Sequence, residues 1–182
     1  MDLTVILGPM KSGKSLELIS LMSPLAYTAT PFRVYQSDRH VRDNEVKSRI
    51  GASMPTSKVR DLESLLDDDV QVVGVDEIHM FQPSDVESIK WLLSKGTRVV
   101  VSGIDLDHRG KMFDVVKAVL ELGPEKVIYR RSVCDVCHEF TAVNTQVLKD
   151  SKPFIEDLGE SRALPADGTY TYEARCRKCF VY

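Results

Sequence analysis

Residues 8–15 read Gly-Pro-Met-Lys-Ser-Gly-Lys-Ser, the pattern G-x-x-x-x-G-K-S, between the apolar run Leu3–Leu7 and the segment Leu16-Glu17-Leu18-Ile19. A buried strand, a glycine-rich loop and a helix start, in that order, leave few folds open to the chain. Gly8 and Gly13 allow backbone N–H groups to converge on phosphate oxygens at the positive end of the following helix. Lys14 adds a charge for the β- and γ-phosphates, and Ser15 a hydroxyl for Mg2+. Gly8, Pro9, Met10, Lys11, Ser12, Gly13, Lys14 and Ser15 are therefore the expected cradle of a nucleoside triphosphate. A chance glycine-serine turn would carry no reason for the flanking strand and helix.

Apolar, β-branched runs recur along the chain at Leu3–Leu7, Phe32–Tyr35, Val70–Val75, Arg98–Ser102 and Lys126–Tyr129. Strands alternating with helical stretches predict a mostly parallel sheet with helices on both faces. One helix is signalled after Phe81, opened by Pro83 and Ser84 with capping-box spacing to Glu87, and closed by Gly96. Residues 38–61 are polar and read as a connection carrying a short helix. The stretch from about Thr145 to Tyr172 holds Pro153, Gly159, Pro165 and Gly168, and reads as a long binding loop or lid.

The run Val70–Val75 leads into Asp76-Glu77, two acids at the end of a strand. In a P-loop protein Asp76 is placed to hold Mg2+ together with Ser15. Glu77 is placed to take a proton from the group that attacks the γ-phosphate. Ile78 and His79 follow on the nucleotide side; His79 suits a γ-phosphate sensor and equally a satisfied, partly buried histidine. Asp76-Glu77-Ile78-His79 also spells the D-E-x-H box of a helicase family. That reading fails, because a second nucleotide-binding domain and a basic strand-binding channel are both missing. Asp105, Asp107, His108 and Arg109 follow the run Arg98–Ser102, and ligands of open α/β sheets bind beyond such strand ends.

All four cysteines fall in two pairs, Cys134-x-x-Cys137 and Cys176-x-x-Cys179. Two C-x-x-C pairs suit a closed tetrahedral Zn2+ site that stabilises a segment too small for its own core. Paired thiols of this kind, together with a start that runs from Met1 straight into a strand, predict a cytoplasmic protein without a signal peptide. No apolar run approaches the ~18 residues of a membrane span. The net charge of −3, from 24 basic and 27 acidic residues in a chain of 182, argues against nucleic acid as the main ligand.

Taken together these residues resemble the zinc-containing, P-loop thymidine kinase family of bacteria, poxviruses and animals. The resemblance rests on G-P-M-x-S-G-K-S at 8–15, V-D-E at 75–77, G-x-D-x-D-x-R-G at 103–110 and Phe113. It continues through Cys134-x-x-Cys137, Thr145-Gln146 and Tyr172-Glu173-Ala174-Arg175-Cys176-x-x-Cys179. It implies an α/β, RecA-like P-loop NTPase domain over 1–131 and a small zinc-binding domain over 132–182, whose lasso loop, about 145–172, closes over a base. It also implies transfer of the γ-phosphate of ATP to the 5′-hydroxyl of a deoxynucleoside in DNA-precursor salvage, with Glu77 as proton acceptor and a homotetramer, or dimer, as the assembly.

By the same resemblance Met10, Met80, Phe81, His108, Thr145 and Tyr172 shape the base site. The chain departs from the family pattern there. Met80 and His108 stand where phenylalanines are usual, Val147 replaces an arginine, and Ala163-Leu164-Pro165-Ala166 replaces a Gly-Gly step. The arginine of the family's D-x-R element matches either Arg39 or Arg42. The expected activity is that of a thymidine kinase using Mg2+. The rival readings are a kinase for another or modified nucleoside, and a non-kinase nucleotide switch with a zinc-ribbon interaction module.

Overall fold

The computed structural model describes residues 2–39, 45–48, 51–66, 69–159, 163–165 and 167–182. In chain order the elements begin with β1 (Leu3–Leu7), α1 (Lys14–Met22), β2 (Phe32–Ser37), β3 (Glu45–Lys47), β4 (Ser53–Pro55), β5 (Ser57–Val59) and β6 (Val72–Asp76). They continue with α2 (Val86–Ser94), β7 (Arg98–Gly103), α3 (Asp114–Glu121), β8 (Lys126–Tyr129), β9 (Asn144–Lys149), β10 (Lys152–Pro153) and β11 (Tyr170–Arg175).

Six strands form one parallel sheet in the order β5-β2-β6-β7-β1-β8. The period of two along each strand divides the core. Val5, Leu7, Val73, Val75, Val99 and Val101 pack with Ile89, Leu92, Val115 and Val119 of α2 and α3. Ile6, Val34, Val72 and Val100 face the other way, onto Leu18, Ile19 and Met22 of α1. Continuous valine-rich runs are what a sheet buried on both faces requires. All five expected strands are present, three of them running slightly further, to Ser37, Asp76 and Gly103.

The helix near Pro83 starts differently from the expectation. A short 3-10 turn, Pro83–Asp85, precedes α2, and the capping box joins Gln82 to Asp85 rather than Ser84 to Glu87. Gly96 closes α2 in the left-handed region, with φ +85°. Within 38–61 the described residues hold no helix; they form the hairpin β3–β4 and the edge strand β5. Val46 and Met54 alternate with polar neighbours and drop into the core beneath α1, which selects strand over helix.

The C-terminal third adds a three-stranded antiparallel sheet, β10-β9-β11. Residues 145–149 and 170–172 are thus strand, and the loop proper runs between β10 and β11. Among the described residues no helix is long and apolar enough to cross a membrane.

Candidate functional site

The carboxyl ends of β1, β6 and β7 lie side by side, and the candidate site is built on them. The loop 8–15 leaves β1 through Gly8, whose φ is +147°. A Cβ on Gly8 would stand 2.3 Å from the backbone oxygen of Arg130, so only glycine fits. Gly13, at φ +81°, turns the chain into α1 and leaves the first amides of that helix without intrahelical partners. Lys14 is buried, and its Nζ donates to the Pro9 carbonyl at 2.8 Å, which holds the ammonium inside the curl of the loop.

Asp76 ends β6 beneath this loop. Ser15 Oγ donates to Asp76 Oδ2 at 3.2 Å, and Ser102 Oγ donates to Oδ1 from the neighbouring β7. Burial and then the charge of Glu77 push the Asp76 carboxyl up to about 6, although the Ser102 hydroxyl and Lys14 pull the other way. Glu77 takes the left-handed conformation, φ +55°, a strained choice for a non-glycine residue and one that concentrates at functional sites. Its Oε2 lies 3.4 Å from His79 Nδ1 but has no hydrogen-bond partner among the described residues. His79 Nδ1 instead accepts the Ile104 N–H at 3.3 Å, and the ring packs 5.3 Å from that of Phe113.

Asp105 joins this group from the turn after β7. It is buried, its Oδ1 is unpaired among the described residues, and burial raises its carboxyl while Lys14 lowers it. Lys14 therefore sits in the field of two buried carboxylates, Asp76 and Asp105. Arg130, which no sequence motif marks, completes the rim of the loop 8–15. Its Nη1 pairs with Glu17 at 3.2 Å, its Nε donates to the Ser12 carbonyl at 3.4 Å, and its backbone N–H donates to Leu7 at 2.7 Å. Its position just past β8 obeys the same strand-end rule that pointed to Asp105.

Of the residues expected around a base, Met10 and Thr145 meet: the Met10 N–H donates to Thr145 Oγ1 at 2.9 Å. Met80 is half-buried, and its carbonyl accepts Arg39 Nη1 at 3.4 Å. Tyr172 is half-buried on β11, opposite Val147. Phe81 and Ile78 are turned into the core with Val86 and Phe113. His108 is buried and faces the loop after β10, where its Nε2 lies 2.8 Å from the Glu156 carbonyl. Arg42 and Ala166 lie outside the described residues.

The Sγ atoms of Cys134, Cys137, Cys176 and Cys179 all lie within 4.8 Å of one another, and those of Cys137 and Cys176 are 3.8 Å apart. A tetrahedral site with metal–sulfur bonds of about 2.3 Å requires sulfur separations of about 3.8 Å, so the set fits zinc. Both pairs form tight turns, with His138 N–H donating to Cys134 O at 2.9 Å and Phe180 N–H to Cys176 O at 3.0 Å. Burial would raise the Cys134 thiol, yet the N–H groups of Cys137, Cys176 and Val136 outweigh it and bring it to about 6, which favours the thiolate. Between the first two cysteines, Asp135 binds Lys11 Nζ through both oxygens at 2.7 Å and accepts the Ala174 N–H at 2.6 Å.

A parallel sheet that brings a glycine loop, a buried lysine, a serine and an aspartate to one edge is the architecture of a P-loop nucleotide-binding protein. The sequence model of the family described as thymidine kinase matches residues 1–180. A thymidine kinase of Chloroflexus aurantiacus is 32% identical over 97% of this chain and 92% of its own length. Those of Mesomycoplasma hyopneumoniae and Thermococcus kodakarensis are 34% and 32% identical, over 96% and 97% of this chain and 92% of each relative. Among solved structures, the cytoplasmic domain of the Thermomonospora curvata Type VII secretion ATPase EccC gives a TM-score of 0.44 at 10% identity, over 96% of this chain and 24% of that one. The chain belongs to the thymidine kinase family and is a phosphotransferase.

Proposed function

We propose that this protein transfers the γ-phosphate of ATP to the 5′-hydroxyl of thymidine, the salvage route to a DNA precursor. The observation that carries this reading is the buried Glu77 Oε2, without a hydrogen-bond partner among the described residues, next to the Ser15–Asp76–Lys14 cluster. A carboxylate there accepts the proton of an attacking hydroxyl. The amides of 8–15 bind the triphosphate, and Lys14 offsets charge on the phosphoryl group in flight. Ser15 and Asp76 would hold Mg2+, since a hydroxyl and a carboxylate oxygen are hard donors that suit it. When bound, that ion offsets negative charge on the β- and γ-phosphates. Positioning and electrostatics carry most of the rate, because this transfer asks little covalent chemistry of a protein.

On the acceptor side Met10, Thr145, Met80 and Tyr172 supply the surface for the base. Cys134, Cys137, Cys176 and Cys179 would hold structural zinc and leave it no open position for chemistry. The reading includes a cytoplasmic setting, where thiols stay reduced, and no nucleic-acid partner, in keeping with the net charge of −3. It also includes a homotetramer or dimer: β8 is an edge strand whose Val127 and Tyr129 are exposed, a surface that a second copy would cover.

A nucleoside panel with labelled ATP and Mg2+ tests the function. Thymidine is expected to be turned over fastest. A rate no higher than those for deoxycytidine and deoxyguanosine sinks the assignment to thymidine, and no turnover of any nucleoside sinks the kinase.

A further inference from the structure

The turn after β7 meets the loop 154–159 through His108 and Arg109. Asp107 builds it: the buried Oδ1 accepts the N–H groups of Arg109 and Lys111, each at 2.9 Å, and Leu106 pairs with Met112 across the base. This fixed turn presents two consecutive side chains to the loop. The His108 Nε2 lies 2.8 Å from the Glu156 carbonyl, and a carbonyl only accepts, so Nε2 carries the proton. The His108 ring stands 5.1 Å from that of Phe154, which in turn stands 5.2 Å from that of Tyr170. The Arg109 guanidinium, only 12% exposed, forms an ion pair with Asp157, which is 68% exposed. Asp157 also caps the Gly159 N–H at 2.8 Å, and that bond together with Arg109 holds its carboxyl below the ordinary range.

Apolar burial of the loop itself does not explain this placement. Phe154 is buried, but Ile155 and Leu158 are 50% and 41% exposed. Loops with so little buried surface drift unless polar contacts hold them. This one is strung between β10 and β11, on a sheet whose Thr145 holds Met10 of the phosphate loop. The turn that grips it begins just beyond Ser102 and Asp105, beside the proposed phosphotransfer centre.

We propose that the turn 107–109 is a latch for the loop 154–159, with His108 and Arg109 as positioning residues that hold this loop over the acceptor nucleoside. The proposal rests on the function proposed above. It makes His108 a residue that acts on the nucleoside through the loop backbone rather than by stacking on the base. Losing either grip leaves ATP binding and the chemical step intact and weakens the hold on the nucleoside.

The test compares Asp157→Ala, His108→Phe and His108→Gln with the unmodified protein, by backbone hydrogen exchange over 154–159 and by steady-state kinetics in both substrates. Asp157→Ala changes a solvent-facing side chain, so the melting temperature is expected to stay within about 2 °C. Its exchange over 154–159 is expected to quicken, with thymidine KM raised about 3- to 10-fold and ATP KM and kcat within about 2-fold, the size of one lost hydrogen bond or ion pair. His108→Phe keeps the ring but not the donor and moves KM the same way. His108→Gln keeps a donor of similar reach and recovers most of the loss. Unchanged exchange in Asp157→Ala overturns the latch, as does quicker exchange with an unchanged thymidine KM or an equal rise in ATP KM. Absence of nucleoside turnover by the unmodified protein overturns the function proposed above and the acceptor role with it, whereas the exchange result alone decides whether the turn grips the loop.

Discussion

Ser102, at the end of β7, donates its hydroxyl to the carboxylate of Asp76 at the end of the adjacent β6, and both side chains are buried. The pair places a hydrogen-bonded acid under the phosphate loop at a cost in stability. Burial first, and Glu77 second, raise the Asp76 carboxyl from 3.8 to about 6. Between those values the folded protein binds a proton that the unfolded chain has released, so stability falls as pH rises through that window and the deficit is complete above it. A shift of this size corresponds to at most about 3 kcal/mol. Asp76→Asn is therefore expected to be more stable than the parent at pH 8 without Mg2+, and inactive. Thermal unfolding at pH 8 checks it, and equal or lower stability in the variant contradicts the assignment.

Ser102→Ala removes a group that favours the ionised form of Asp76. The Asp76 carboxyl then rises further, and the acid limb of the kcat/KM profile is expected to shift to higher pH. A pH–rate profile of the variant decides it. An unmoved acid limb means that Ser102 has no influence on the titrating group.

Gly8→Ala forces a side chain into a left-handed position and against the backbone of Arg130, with 2.3 Å of room. Strain of this kind costs about 1–3 kcal/mol before the contact is relieved, and relief must displace the phosphate loop. Lower melting temperature and weaker ATP binding are expected together, by calorimetry. Normal ATP affinity would show that the loop tolerates the shift.

Glu77→Gln preserves size and removes the proton acceptor. A fall in kcat of roughly 100- to 10,000-fold with unchanged ATP affinity is expected, the usual scale for a general base. A kcat within a factor of about 3 would remove Glu77 from the mechanism.

Asp135 lies inside the first cysteine pair and reaches Lys11 in the phosphate loop, so the cysteine segment braces the loop 8–15. Both side chains are about a third exposed, at 30% and 29%, so the ion pair is a weak one. Asp135→Ala is expected to keep its zinc, by metal analysis, and to raise ATP KM by no more than about 5-fold. Zinc removal by a chelator is expected to raise it further, since the turn carrying Asp135 loses its shape. Equal ATP KM with and without zinc would separate the two segments.

Much of this architecture is written locally. Val99-Val100-Val101 must be a strand buried on both faces, and Gly8 through Ser15 spell a glycine-gated turn from strand to helix, because hydrophobic period and glycine spacing act between near neighbours. The spacing of the four cysteines predicts a metal site for the same reason, and their Sγ atoms converge into a set compatible with zinc. The hairpin β3–β4 has no strand signature in the sequence because its apolar content is essentially Val46 and Met54, too few to outweigh the charged residues around them.

What tertiary structure alone decided is which distant residues meet. That β7 lies between β1 and β6, bringing Ser102 to Asp76, depends on strand order, which no local pattern encodes. That Arg130 flanks Ser12 follows from β8 pairing with β1. That His108 meets Glu156 follows from the turn which Asp107 ties and from where the loop after β10 passes. Composition and spacing choose the groups available to a site, while non-local pairing and burial fix their partners, because those contacts form only when segments far apart in the chain share one core.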